Sequence, residues 1–187
     1  MRLAILIDGG YFEKVIRNEF SGVRIDFKQF VEILSVGKEV LRTYYYHCLP
    51  YQSARPTQEE SERFARKESF FSYLKKLPRF QVKLGKLAYR GLDPNGNKIF
   101  EQKGIDTLLS LDMVNLAATK QVSNIILIAG DSDYIPAIEL TKTHGVGVIL
   151  YHSQRRDNYH IDLWETCDER FPITQSVINK IKIPSPE

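Results

Sequence analysis

"IILIAGDSDYIPAIE", residues 125–139, decides how this chain is read. Ile125 to Ala129 is apolar without a break, the pattern of a strand buried on both faces rather than one with a wet side. The run stops at Gly130, and two carboxylates follow, Asp131 and Asp133, with one serine between them. A helical pattern begins near Tyr134 and runs to His144. An N-cap for that helix needs one of the two acids and leaves the other over. Buried strand, acidic turn and helix, in that order, describe a parallel sheet with polar groups gathered at its carboxyl edge.

Outward from this stretch the same rhythm repeats. Leu3–Ile7 and Val146–Tyr151 are further continuous apolar runs, and tyrosine-rich Val40–Cys48 fits a strand of the same sheet. Helical patterns cover Tyr11–Glu19, Phe27–Ser35, Gln58–Leu77 and Ile105–Thr119. Thr57 and Glu60 form a capping box at the start of the longest. Strands alternating with helices predict an α/β fold with a central, mainly parallel sheet covered on both faces. One segment departs: Phe80–Ala88 alternates apolar and polar residues, and "DPNGNK" (93–98) is Asn-Gly turn chemistry. A β-hairpin insertion near residues 80–102, returning through Ile99–Gln102, is expected as an arm or antiparallel edge. Its Lys83, Lys86 and Arg90 make it a candidate strand guide or the arm of a homodimer. Residues 1–172 read as one domain, and 173–187 as a C-terminal helical extension with a frayed tail.

The composition suits one soluble domain: 187 residues, 43% apolar and 26% charged, with a net charge of +3 that permits a nucleic-acid partner. Cys48 and Cys167 fit no zinc spacing and no disulfide framework, so a reducing cytoplasm is the expected compartment. Leu3–Ile7 is too short for a signal peptide or membrane span, and no membrane association is expected.

Asp8 follows the first apolar strand as Asp131 follows the later one, so Asp8, Asp131 and Asp133 are expected on one sheet edge. In "KGIDTLLSLDMVNLAA" (103–118), Ile105, Leu108, Leu109, Met113 and Leu116 share a helix face. Asp112 falls within that face and Asp106 at its margin in the first turn. Each acid has a plainer reading: Asp8 as a turn residue, Asp131 or Asp133 as a cap, Asp106 as a helix-start acid, Asp112 as a hydrogen-bonded anchor. Gathered on one edge, however, three or four acids repel and raise each other's pKa unless a cation resides there. A hard, oxygen-ligated Mg²⁺ or Mn²⁺ suits such a set, and with it phosphoryl chemistry.

"LAILIDGGYF" (3–12), "KGIDTLLSLDMV" (103–114) and "IILIAGDSDYIPAI" (125–138), closed by "DLWETCDERFPI" (162–173), together resemble the NYN domain. That family is a branch of the PIN-like nuclease superfamily, and the likeness is to its LabA-like members over roughly residues 1–172. The resemblance implies a three-layer α/β/α PIN-like fold and a metal-dependent endoribonuclease hydrolysing RNA phosphodiesters with Mg²⁺ or Mn²⁺. Catalytic and metal-binding roles would fall on Asp8, Asp106, Asp131 and Asp133, with Asp112 and Ser132 behind them. Many relatives carry an asparagine where this chain has Tyr11. A catalytically weak RNA-binding or protein-interaction module of the same fold is the alternative. The DxD spacing alone would also suit a Toprim-like enzyme or a haloacid-dehalogenase phosphatase. The first requires a glutamate where Asp8 stands, and the second a DxD where the chain has "DGG".

For single-stranded RNA as partner, candidate contacts are Lys103 ahead of the acid-bearing helix and His152, Arg155, Arg156 and His160 in "YHSQRRDNYH" (151–160). Arg63, Arg66 and Lys67 interleave with glutamates and read as a salt-bridged, solvated helix face. No Gly-x-Ser-x-Gly or Walker-type loop is present.

Overall fold

A computed structural model describes residues 2–96 and 98–184, apart from the side chains of 98 and 101–103. The N-terminal apolar run forms strand β1 (Arg2–Asp8), with Leu3 through Ile7 all buried. A strand without a wet face belongs in the middle of a covered sheet. Accordingly β1 pairs in parallel with β2 (Glu39–His47) on one side and β6 (Asn124–Ile128) on the other. Beyond these lie β3 (Phe80–Leu84), β7 (Gly147–His152) and β8 (Glu169–Pro172), giving the order β3-β2-β1-β6-β7-β8. All five pairings are parallel. The chain steps outward from β1 to β3, returns to β6, then steps outward the other way. Strand order thus reverses between β1 and β6, and such a switch point opens a crevice at the carboxyl ends.

The pleat divides β1 between two cores. Leu3, Ile5 and Ile7 pack with α1 (Gly9–Glu19), α2 (Phe27–Ser35), α3 (Gln58–Lys76) and α7 (Gln175–Ile181). Ala4 and Leu6 pack on the opposite side with α4 (Ile105–Ala118), α5 (Ile135–Thr143) and α6 (Ile161–Thr166). The result is the expected three-layer α/β/α arrangement. By the same alternation, Asp8 emerges on the α4–α5 side. The capping box of α3 is present: Thr57 Oγ1 accepts from the Glu60 amide at 3.1 Å, and Glu60 Oε2 accepts from the Thr57 amide at 3.3 Å.

The hairpin begins later than its alternation predicts. Phe80–Leu84 is a parallel edge strand of the main sheet, and β4 (Lys86–Leu92) pairs antiparallel with β5 (Lys98–Lys103) in a separate two-stranded ribbon. An edge strand with one solvent face alternates as a hairpin arm does, so its pattern alone cannot tell them apart. In the turn, Asp93 Oδ1 accepts from the Asn95 amide at 2.8 Å, and Gly96 takes a φ of +81°. After residue 172, Ile173, Ile178 and Ile181 are fully buried in the first core, so α7 is an integral part of that layer. Of the expected frayed end "IPSPE" (183–187), Ile183 is held by its amide donating to the Arg24 carbonyl at 2.8 Å, and 185–187 lie outside the described residues. Both cysteines are buried free thiols, and among the described residues no helix is long and apolar enough to cross a membrane.

Candidate active site

Asp8 closes β1 and caps α1 at once: its Oδ1 accepts from the Tyr11 amide at 3.0 Å. Its second oxygen, Oδ2, lies 3.0 Å from the hydroxyl of Tyr134, and that hydroxyl lies 2.8 Å from Oδ1 of Asp106. Asp106 is in the first turn of α4, which starts on Gly104 at φ +81° with no capping side chain, so an acid here meets a favourable helix end. Asp8 and Asp106, distant in sequence, therefore converge on one phenol.

A phenol carries one proton and cannot donate to both carboxylates together. The centre is one proton or one cation short of balance. Burial pushes the Asp8 carboxyl up, the Tyr11 amide and Tyr134 hydroxyl pull it back, and the Asp106 charge adds to the rise. Tyr134 is fully buried, and burial together with the two carboxylates holds its phenol far above the ordinary range, so it stays a neutral donor.

Asp131 follows β6 across the switch point. Its Oδ1 accepts from the Asp133 amide at 3.1 Å, capping a 3₁₀ turn (Ser132–Tyr134) that carries Tyr134 into the interior and leads to α5. Asp8 and Asp131 line one cleft of about 420 Å³, with Tyr11, Lys14, Arg156 and His160 among its walls. Asp133 is exposed and Ser132 half-buried, and neither lines the cleft. Among the described residues, no three His, Cys, Asp or Glu side chains form a group that could hold a metal ion on their own. The Asp8–Asp106 pair still fits Mg²⁺, which keeps several waters and typically takes one or two carboxylates besides substrate oxygens. Its donors are hard oxygens, and a cation would supply the charge that the single Tyr134 proton cannot.

Asp112 is occupied elsewhere. Its Oδ2 accepts from the Tyr46 hydroxyl at 2.7 Å, and Lys83 Nζ reaches it at 2.6 Å. Tyr46 stands opposite Asp8 in the β1–β2 register, so Asp112 braces a neighbouring strand and belongs to its hydrogen-bonded-anchor reading.

The basic loop divides. His152 is buried; Trp164 donates to its Nε2 at 3.2 Å, leaving Nδ1–H to donate to the Ser153 carbonyl at 2.7 Å. Burial pushes its pKa down, so it is a neutral packing residue and not the phosphate contact its sequence position predicts. Arg155 forks onto Asp157 at 3.3 and 3.1 Å on the exposed surface. Arg156 lines the cleft, donating to the Tyr159 carbonyl at 3.0 Å and lying over its ring. The side chain of Lys103 lies outside the described residues.

Sequence reasoning missed Tyr134 and Lys14; His160, a member of the basic loop, stands on the cleft wall. Tyr134 could have been flagged, since it follows the GDSD turn directly, but its hydroxyl looks like one more core aromatic. Tyr11, which replaces the asparagine of many relatives, accepts from the Ser153 amide at 2.8 Å. Its ring lies so close to Gly130 that a Cβ there would come within 2.2 Å. Ser153 also donates to Glu19, which takes a second bond from Asn158 Nδ2 at 3.0 Å and so fastens the 153–158 loop to α1.

The comparisons with known proteins bear on this arrangement. The model of the NYN domain family matches residues 2–174. A solved structure, a protein of unknown function from Vibrio parahaemolyticus, superposes with a TM-score of 0.67 over 93% of each chain at 21% identity, a likeness of fold. An uncharacterized protein of Sinorhizobium fredii is 34% identical over 50 residues, which is 27% of this chain and 23% of that one. The chain thus matches about a quarter of that curated relative's length.

Proposed function

The chain belongs to the NYN domain family, and on that premise we propose that it is a metal-dependent ribonuclease hydrolysing phosphodiester bonds of single-stranded RNA. The observation that carries this reading is the convergence of Asp8 and Asp106 on the Tyr134 hydroxyl at the sheet switch point. Asp8 and Asp106 are the proposed direct ligands of Mg²⁺ or Mn²⁺, and Asp131, from β6, lines the cleft that Asp8 also lines. Asp133 and Ser132 act through the turn that positions Asp131 and Tyr134. When bound, the ion polarises the phosphate and lowers the pKa of a water nucleophile. Tyr134 holds the two carboxylates in a fixed mutual orientation, so little reorganisation accompanies the build-up of charge. Lys14 and Arg156 stand on the cleft wall, where they meet phosphate oxygens. Tyr11 closes the wall at Gly130 and limits the width available to the strand.

The test is incubation of the purified chain with single-stranded RNA and Mn²⁺ or Mg²⁺. Cleavage is expected in the wild type and lost in Asp8→Asn and Asp106→Asn. In parallel, Mn²⁺ alone should raise the thermal midpoint of the wild type and not of Asp8→Asn. Cleavage that survives both substitutions sinks the assignment. Tight RNA binding without metal-dependent cleavage would favour the binding-module alternative.

A further inference from the structure

A cavity larger than the carboxylate cleft lies apart from it. It measures about 600 Å³ and lies between α1 and α3 over a floor that includes Phe12, Phe27, Tyr45 and Phe70. Its lining carries five cations, Arg17, Arg24, Arg63, Arg66 and Lys67, against one acid, Glu13. That acid is already spent: Lys67 Nζ lies 2.6 Å from both its oxygens, Tyr45 donates at 3.0 Å and His47 is at 3.2 Å. Arg66 pairs with Glu62 at 3.6 Å. Arg17, Arg24 and Arg63 make no ion pair among the described residues. On α3, Arg66 and Lys67 are thus ion-paired as the alternating charges predict, and Arg63 is the cation that departs from that reading.

Shared lining residues link this cavity to the carboxylate cleft. An intermediate cavity of about 370 Å³ shares Glu13, Arg17, Arg63 and Lys67 with it and shares Lys14 with the cleft. The connection follows α1: Tyr11 and Lys14 in the cleft, Lys14 and Arg17 in the middle, Arg17 at the far end. On the facing helix, Arg63, Arg66, Lys67, Phe70 and Tyr73 recur at spacings of three and four, which places them on one face. Cations lead and aromatics follow, and Tyr73 is 40% exposed.

We propose that the α1–α3 groove is an extended binding track for a single-stranded RNA, whose phosphates run along Lys14, Arg17 and Arg63. An unpaired base beyond them enters the aromatic cavity against Phe70 and Tyr73. The proposal rests on the ribonuclease reading for the identity of the strand. Charge complementarity and the cations that line neighbouring cavities in common select the occupant. A cationic groove that ends on aromatic faces is the combination that holds single strands without sequence readout, and a duplex cannot offer an unstacked base to it.

The test measures binding of fluorescein-labelled oligouridylates of 4 and 12 nucleotides by anisotropy in EDTA, where no cleavage intervenes. Wild-type affinity should rise with length, and Arg17→Glu/Arg63→Glu should lose that gain, weakening the 12-mer about tenfold or more. Its slope of log affinity against log salt should fall by about 1.4, or about 0.7 for each phosphate no longer neutralised. Both arginines are exposed, so folding should be kept; Arg17→Gln/Arg63→Gln with a smaller loss is the second variant should the first fail to fold. Tyr73→Ala should weaken the 12-mer about fivefold or more, from the loss of one stacking partner. Unchanged 12-mer affinity and salt slope in both arginine variants overturns the proposal, as does a preference for an acidic peptide over the RNA. Length-dependent binding without cleavage of any RNA in Mn²⁺ keeps the track and sinks only the ribonuclease reading. Cleavage with unaltered 12-mer binding does the reverse.

Discussion

Tyr134→Phe removes one oxygen and nothing else from the centre of the site, and its cost can be worked out. Tyr134 is fully buried, and phenylalanine fills the same space, so no cavity forms. What disappears is the hydroxyl at 2.8 Å from Asp106 and 3.0 Å from Asp8. Because it has one proton, a single charge-assisted hydrogen bond is lost, worth about 1.5–3 kcal/mol. At pH 7 the metal-free variant should be less stable by about 2 kcal/mol, a fall in midpoint of about 4–8 °C for a chain of this size.

The pH dependence has a definite sign. Asp8 already has a folded pKa above its unfolded value near 3.8, so its contribution is fully present at low pH and is lost as pH rises through the folded pKa. The hydroxyl favours the ionised carboxylate; without it the folded pKa of Asp8 rises further. The stability gap between wild type and Tyr134→Phe must therefore widen from pH 4 to pH 7. Near pH 4 a neutral hydrogen bond remains to be lost, worth about 1 kcal/mol. Equilibrium urea denaturation at the two pH values measures both numbers, provided the m-values agree. A gap below about 0.5 kcal/mol at pH 7, or one independent of pH, would falsify the picture of a shared proton.

Two further substitutions test the frame around the site. Burial works to raise the Glu13 carboxyl, but His47 and Lys67 outweigh it and hold it at about 2. That stability is present above the unfolded value of 4.5 and is lost as pH falls toward 2. Its side chain is 38% exposed, so after solvent screening Glu13→Gln should cost about 1–2 kcal/mol at neutral pH. The difference in thermal midpoint should shrink as pH falls from 4.5 toward 2 on the same grounds; a constant difference would refute the ion-pair account. Gly130→Ala would set a Cβ 2.2 Å from the Tyr11 ring and 2.8 Å from the backbone oxygen of Asn158. The ring can move but the carbonyl is held in the loop, so a loss of about 1–3 kcal/mol in urea denaturation is expected, and neutrality would show the loop to be free.

How far the fold could be read from sequence follows from burial. β1, β6 and β7 are covered on both faces and so appear as unbroken apolar runs. β8 is the four-residue edge strand "ERFP", two of its four residues charged, and its pairing to β7 leaves no mark in composition. β3 alternates because its outer side is open, and that pattern is shared with a hairpin arm. The carboxylates were legible because strand ends in a parallel sheet converge whatever the side chains between them. The loop contacts were not. His152 and Arg156 sit in one basic stretch, yet Trp164 and the Ser153 carbonyl claim the first while the second is left at the cleft. Such choices depend on which way a loop folds back, and no periodicity records it.

Asp8 shows why the structural and functional readings of these acids need not compete. One of its oxygens caps α1 through the Tyr11 amide, and the other points at Tyr134. The cap fixes the carboxylate plane, so the helix start itself aims the second oxygen at the Tyr134 hydroxyl that Asp106 shares. The bond that fits a plain turn residue is therefore the one that preorganises a ligand. Asparagine caps a helix about as well as aspartate, whereas alanine does not, at a cost of about 1 kcal/mol. Asp8→Asn thus keeps the α1 cap while deleting the charge, and Asp8→Ala deletes both. If both variants lose Mn²⁺ stabilisation but only Asp8→Ala loses intrinsic stability, the two oxygens have separable roles. If Asp8→Asn falls as far as Asp8→Ala, the charge is holding the strand end together and the cap is incidental.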